Sequence, residues 1–155
     1  MTPAEVEAPG AGTLRDGDPL VLARCGAFRL LVPLASVERV HPAALPVALP
    51  AAAAPAHPLV SVGGTLLPVL FGEALLGAGE ARLLPGDQLL QLKDGSRQAL
   101  LWVSAVEEVL AFQPLAPPPG PCPDLVAGFS GTDGPLAVLD VARALAQALG
   151  HQEAP

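Results

Sequence analysis

Leu59-Val-Ser-Val-Gly-Gly-Thr-Leu-Leu-Pro-Val-Leu70 sets two short aliphatic runs on either side of a Gly-Gly pair. Such runs read as antiparallel strands, because glycine reaches the positive φ that a tight hairpin turn demands. Pro68 has no N–H to give to a ladder and is expected at a strand edge or a bulge. The same signature repeats in both directions. Upstream, residues 20–24 and 28–32 flank Cys25-Gly26-Ala27. Downstream, residues 87–92 and 97–103 flank Asp94-Gly95, residues 107–112 form a further run, and residues 125–129 and 135–139 flank Thr132-Asp133-Gly134. Leu34, Val37 and Val40 keep helical spacing, which suggests a single turn leading into a strand, and residues 72–77 suggest another.

Only the end of the chain departs from this rhythm. Asp140 is suited to capping a helix N-terminus, apolar residues up to Leu149 keep helical spacing, and Gly150 terminates them. The pattern predicts an all-β protein of roughly nine or ten short strands with one C-terminal helix, a barrel or sandwich. No strand–helix alternation supports a parallel, doubly wound sheet. Residues 1–18 read as a flexible tail and 150–155 as a second one. Residues 41–58 form an Ala/Pro connection with prolines at 42, 46, 50, 55 and 58. That spacing favours an extended path over a helix. Residues 114–123 are a second Pro-rich connection, and 78–86 a loop that divides the body into two halves.

The 155 residues are 51% hydrophobic yet include only four Phe, one Trp and no Tyr, so the core must be built from Leu, Val and Ala. Nineteen prolines and sixteen glycines disfavour a helical bundle. A formal charge of −7, with its eight basic residues unclustered, opposes binding to a phosphate backbone. No stretch reaches the roughly 20 apolar residues that span a bilayer, and the N-terminus does not read as a signal peptide. These features predict a cytoplasmic chain with neither membrane insertion nor direct nucleic-acid binding.

The chemistry-bearing residues do not assemble into a catalytic motif. His41, His57 and His151 are not spaced as metal ligands, and Cys25 and Cys122 read as free thiols. Gly63-Gly64 sits between strands with no Lys-Ser/Thr after it, so it is no phosphate loop. Glu107 and Glu108 are neighbours on a strand and should point to opposite faces. Trp102 reads as core or as a groove floor. No catalytic residue, metal ligand or cofactor is expected.

Taken in order, these segments resemble the CheW-like domain of bacterial chemotaxis coupling proteins, also found at the C-terminus of the histidine kinase CheA. Val37-Glu-Arg-Val40 is similar to the family's Val-x-Glu-Val/Ile segment. Leu59 to Leu70 is similar to its Val-Ile-Asn-Leu-Arg-Gly-x-Val-Leu-Pro-Val stretch. Leu100-Leu-Trp-Val-Ser-Ala-Val106 resembles Gly-Leu-x-Val-Asp-x-Val, and Pro135-Leu-Ala-Val-Leu-Asp140 resembles the closing strand before the last helix. The likeness spans residues 19–149. Departures fall on polar positions. Ser61 stands for Asn, Gly63 for Arg, Phe71 for Asp, Leu100 for Gly and Ser104 for Asp. Arg39 occupies the acidic position, with Glu38 one place earlier, an offset that should turn the acid to the opposite face.

The resemblance implies two SH3-like five-stranded β-barrels packed together, breaking near residues 78–86, with a hydrophobic groove for the cytoplasmic tip of a chemoreceptor (a methyl-accepting chemotaxis protein). Other faces of the family bind the CheA regulatory domain and build receptor arrays. Val37, Glu38, Arg39, Val40, Val62, Gly63, Gly64 and Leu66 are the candidate groove residues. Each valine reads equally well as barrel core, and Gly63-Gly64 as a tight turn only. The implied role is a non-enzymatic adaptor at receptor clusters with weakened kinase or array contacts. The alternatives are an SH3/OB-like barrel binding another protein or nucleic acid outside chemotaxis, which would want a basic, aromatic-lined face, and a small enzyme or metal-dependent protein.

Overall fold

A computed structural model describes residues 14–43, 58–75, 84–119, 125–131 and 134–149. Most of the Ala/Pro connection, both tails beyond these limits, the 78–83 part of the central loop, residues 120–124, Thr132-Asp133, His57, His151 and Cys122 lie outside the described residues.

The described chain forms eleven strands and two α-helices. In order they are β1 (Pro19–Cys25), β2 (Phe28–Pro33), a 3-10 turn (Leu34–Ser36), β3 (Val37–Pro42), β4 (Leu59–Val62), β5 (Thr65–Phe71), α1 (Gly72–Leu75), β6 (Gln88–Asp94), β7 (Arg97–Val103), β8 (Ala105–Ala111), β9 (Pro114–Leu115), β10 (Val126–Ser130), β11 (Leu136–Leu139) and α2 (Val141–Leu149). They build two sheets, each curled into a barrel-like unit. One is six-stranded in the order β8-β1-β2-β11-β10-β9, the other five-stranded in the order β3-β6-β7-β5-β4. The sixth strand of the first sheet is the two-residue β9.

Sheet membership corrects one expectation. The chain leaves the first sheet after β2, completes the second with β3 to β7, and returns to the first at β8. The break expected near residues 78–86 therefore falls inside a single sheet. β3 and β6 pair across it, Val40 opposite Leu90, so the boundaries lie at the β2–β3 and β7–β8 connections instead.

Three apolar clusters follow from strand alternation. In β6 and β7, Leu90, Leu92, Ala99, Leu101 and Val103 point to one side, into a core shared by both sheets. Their neighbours Leu89, Leu100 and Trp102 point to the other side, into the second barrel with Val60, Leu67 and Val69. β1 and β2 divide likewise. Val21, Ala23, Cys25, Leu30 and Val32 enter the shared core, whereas Leu20, Leu22 and Leu31 enter the first barrel with Phe112 and Val138. Strands buried on both faces read as unbroken aliphatic runs, which accounts for the low polarity of Leu20–Ala23 and Ala99–Val103.

Helix α2 seals the shared core. It follows the last strand of the first sheet yet packs on β6 and β7 of the second, burying Val141, Ala144, Leu145 and Leu149. Its start is fixed as the sequence suggests. Asp140 Oδ1 accepts the Arg143 N–H (3.0 Å), and the Asp140 carbonyl accepts the Ala144 N–H (2.9 Å). The Gly63-Gly64 pair forms the two-residue β4–β5 turn with φ of 56° and 86°, a conformation costly for residues with a Cβ. Pro68 faces Leu59 of β4, and pairing of β5 with β7 begins only at Val69, so the missing N–H breaks no ladder bond. At Gly72 an added Cβ would overlap Sγ of Cys25, so glycine is what lets α1 close against the first sheet.

One polar pair lies within this apolar frame. Buried Trp102 donates its indole N–H to Asp87 Oδ2 (2.7 Å), which also accepts the Leu84 N–H (2.8 Å). The Asp87 carbonyl accepts the Ala43 N–H (2.9 Å), tying the end of β3 to the start of β6. Replacing Asp87 by Ala orphans the buried indole N–H. We predict a loss of about 1–3 kcal/mol in denaturant unfolding, with a shift in the emission of this sole tryptophan; unchanged stability would contradict the assignment. Asp140→Ala should cost about 1 kcal/mol through loss of the cap, and Leu101→Ala about 2–5 kcal/mol through a cavity in the shared core.

Candidate functional site

β3 and β4 are the two outermost strands of the second sheet. Curling of that sheet brings them to opposite walls of one cleft of roughly 490 Å3. Leu89 and Val60, both buried, form its floor; His41 and Pro42 stand on the β3 wall; Ser61, Val62 and Gly63 stand on the β4 wall. Glu38 and Arg39 complete the β3 side, and Gln91 contributes from β6.

Of the eight candidate groove residues, the cleft gathers Glu38, Arg39, Val62 and Gly63. Val37 packs against the shared core, which answers its alternative reading as core. Val40 is exposed on β3 but does not line the cleft. Gly64 completes the turn, and Leu66, 46% exposed, lies in a separate depression with Arg97 and Leu149. The eight residues thus do not form a single groove.

The expectation that Glu38 and Arg39 face opposite ways is corrected by a β-bulge. Val37 pairs with Leu92 and Arg39 with Gln91, leaving Glu38 as the extra residue. A bulge interrupts alternation and re-aims side chains, so both residues border the cleft. A second bulge occurs in β8, the outermost strand of the other sheet, where Leu22 pairs with Glu108 and Ala23 with Val106. There Glu107 is the extra residue, and its Oε1 meets Nε of Arg29 at 3.0 Å.

Electrostatics at the cleft centre on Glu38. Its Oε2 lies 2.6 Å from Nζ of Lys93 on β6. The hydrogen bond from Lys93 and then its charge hold the Glu38 carboxyl below the usual carboxylate range, with slight desolvation opposing and Arg39 assisting. Lys93 was invisible as a partner in the sequence, since only the β3–β6 register brings it near. A polar chain crosses three strands beside the floor. The Gln91 amide donates to Gln98 Oε1 (2.8 Å), which turns Gln91 Oε1 towards His41 as acceptor of its Nε2–H (2.7 Å).

No described group of three His, Cys, Asp or Glu is placed to hold a metal ion. No described helix is long and apolar enough to cross a membrane. An apolar floor with polar walls and a glycine rim suits the binding of a polypeptide.

Comparison with known proteins bears on this geometry. The family profile of the CheW-like domain matches residues 19–149. The chain belongs to the CheW-like domain family. Among solved structures, this CheW-like chain is similar to the scaffolding protein TtCheW of Thermoanaerobacter tengcongensis, with a TM-score of 0.67 at 17% identity over 85% of this chain and 90% of that one. At that identity the likeness is one of fold. No curated protein matches the sequence significantly.

Two polar departures of this CheW-like domain have structural roles of their own. Ser104 Oγ accepts the Gly26 N–H (2.9 Å) and secures the β1–β2 turn. Phe71 packs on Trp102, ring centroids 6.0 Å apart. Ser61 and Gly63 instead lie exposed on the cleft wall.

The Glu38–Lys93 pair gives the site a pH dependence of known sign. Because the folded state lowers the carboxyl pKa, the pair's contribution is present above the ordinary carboxylate range and is lost as pH falls through the depressed value. In a carboxyl NMR titration, Glu38 should deprotonate at lower pH than in Lys93→Met, which should return it towards the ordinary range. Identical Glu38 titrations in the two proteins would show that the pair does not persist in solution.

Proposed function

We propose that this protein is a non-enzymatic adaptor that couples the cytoplasmic tip of a chemoreceptor to a CheA-type histidine kinase, acting in the cytoplasm at receptor clusters. The observation that carries this reading is the apolar cleft of the second barrel, set in a fold shared with a chemotaxis scaffold. Recognition of a helix in a groove needs exposed apolar surface and little charge. Val62 and Pro42, partly open to solvent on the two walls, supply the first above buried Val60 and Leu89, and Lys93 offsets the charge of Glu38.

The same reading includes a weakened attachment to the kinase or the array. At Gly63 the wall carries no side chain where the family pattern has Arg, and Phe71 and Ser104 stand where that pattern has Asp. Each missing charge-assisted contact is worth about 1.5–3 kcal/mol, or very roughly 10- to 150-fold in affinity.

Calorimetric titration of the purified chain against a receptor hairpin-tip fragment, and separately against the kinase regulatory domain, tests both parts. The receptor fragment should bind and the kinase domain bind more weakly. Gly63→Arg should strengthen kinase binding, after about 1–2 kcal/mol of left-handed backbone strain at that position. Tight binding of both partners by the unaltered chain would refute the divergence. Failure to bind the receptor fragment would remove the adaptor role.

A further inference from the structure

The β4–β5 hairpin fixes which backbone groups of β4 point outwards. Across its two-residue Gly63-Gly64 turn, Val62 and Thr65 exchange both of their hydrogen bonds, and in an antiparallel ladder such pairs alternate with pairs that exchange none. Val60 and Leu67 are therefore a bonded pair, and the Val69 N–H on the Pro58 carbonyl (2.8 Å) continues the series. Leu59 and Ser61 fall between these. The N–H and C=O of each thus project away from β5, into the flank that faces β3 across the cleft. Among the described residues no strand lies along that flank.

Of the two walls, β4 is the regular one. β3 is interrupted by its bulge at Glu38, whereas Leu59–Val62 pairs with β5 in unshifted register and contains neither a charge nor a proline. The charged side chains that line the cleft, Glu38 and Arg39, both stand on the β3 side and cancel.

We propose that β4 accepts a single extended, uncharged polypeptide segment as a sixth strand of the second sheet, held by the outward backbone groups of Leu59 and Ser61. Those groups recognise backbone rather than side chains, so the added segment must be extended to meet them. A cleft of roughly 490 Å3, walled on its far side by β3, admits one such segment and excludes the body of a second folded copy. Alternate side chains of the segment fall on the side of Val60 and Val62, of which Val62 is partly exposed, and β-branched apolar residues fit there. The intervening ones fall on the side of exposed Ser61. This inference does not rest on the adaptor role, although a strand on β4 and a receptor helix would compete for the same cleft.

The probe is a neutral Thr-Val-Thr-Val-Thr peptide blocked at both ends, titrated into the full chain and followed by amide chemical shifts and hydrogen exchange. Exchange of the Leu59 and Ser61 amides should slow as it binds. The Thr residues and the Val residues are N-methylated in separate peptides. One set should weaken binding about tenfold or more and the other leave it nearly unchanged, because only every second N–H of an added strand points at β4. Ser61→Pro removes an outward N–H without breaking a bond to β5, so it should melt as the parent does and lose the peptide. Ser61→Ala, with its backbone intact, should bind as the parent does. Absence of binding, binding that survives Ser61→Pro, or equal effects of the two N-methyl sets would overturn the proposal. So would slow exchange of both amides without peptide, whether in the monomer or in a dimer, since the flank would then already be covered. A receptor fragment that binds where the peptide does not would remove this inference and leave the adaptor role; the reverse result would do the opposite.

Discussion

Everything in this molecule depends on one layer of aliphatic side chains being shared by two sheets. β1 and β2 on one side, and β6 and β7 on the other, each send alternate residues into it and the intervening residues into their own barrel. Neither barrel keeps a complete interior without the other. A 155-residue chain with so few aromatics cannot fill two independent cores with large rings. It gains the needed apolar burial by using four strands on both faces. The path of the chain reinforces this, since the second barrel is inserted between two parts of the first and α2 crosses back to cover the layer between them.

The same constraint positions the cleft. Leu89 reaches its floor because Leu90 and Leu92 are committed to the shared core on the opposite face. A slip of one residue in β6 would exchange the two sets, replacing Leu89 at the floor and driving Gln91 and Lys93 into the shared core. The rigidity of the cleft is thus inherited from packing on its far side. Asp87 extends this coupling, since one carboxylate engages Trp102 while its own carbonyl holds the end of β3, the strand that carries Arg39.

Features encoded over a few residues were legible in the sequence. The Gly63-Gly64 turn, the Asp140 cap and the single turn before β3 each depend on local chemistry, and the structure shows all three. The family pattern was legible in the same way, as an ordered series of short runs. Sheet membership was not, because β3 pairs with β6 across about fifty residues and no local signal marks that partner. The bulge at Glu38 escaped for a related reason, since an extra residue in a strand is defined only by what lies opposite. Without it, strict alternation misplaces Glu38 and conceals Lys93. The eight candidate groove residues show both sides of this. Four meet at the cleft; the set came from the family resemblance, which carries no register, and Val37, Val40, Gly64 and Leu66 fall elsewhere.

The two bulged glutamates have a consequence beyond the cleft. Among the described residues, β3 and β8 each leave one flank of backbone N–H and C=O groups without a neighbouring strand in their sheets. Such an open flank is a template on which another chain can add a strand and begin aggregation. In both, the irregularity falls on a glutamate, and in both that glutamate is tethered by a basic residue of a nearby strand. A local kink and a charge where a regular ladder would need neither make edge-to-edge growth unfavourable. In a chain whose hydrophobic content is 51%, both of these flanks thus carry a feature that opposes such pairing.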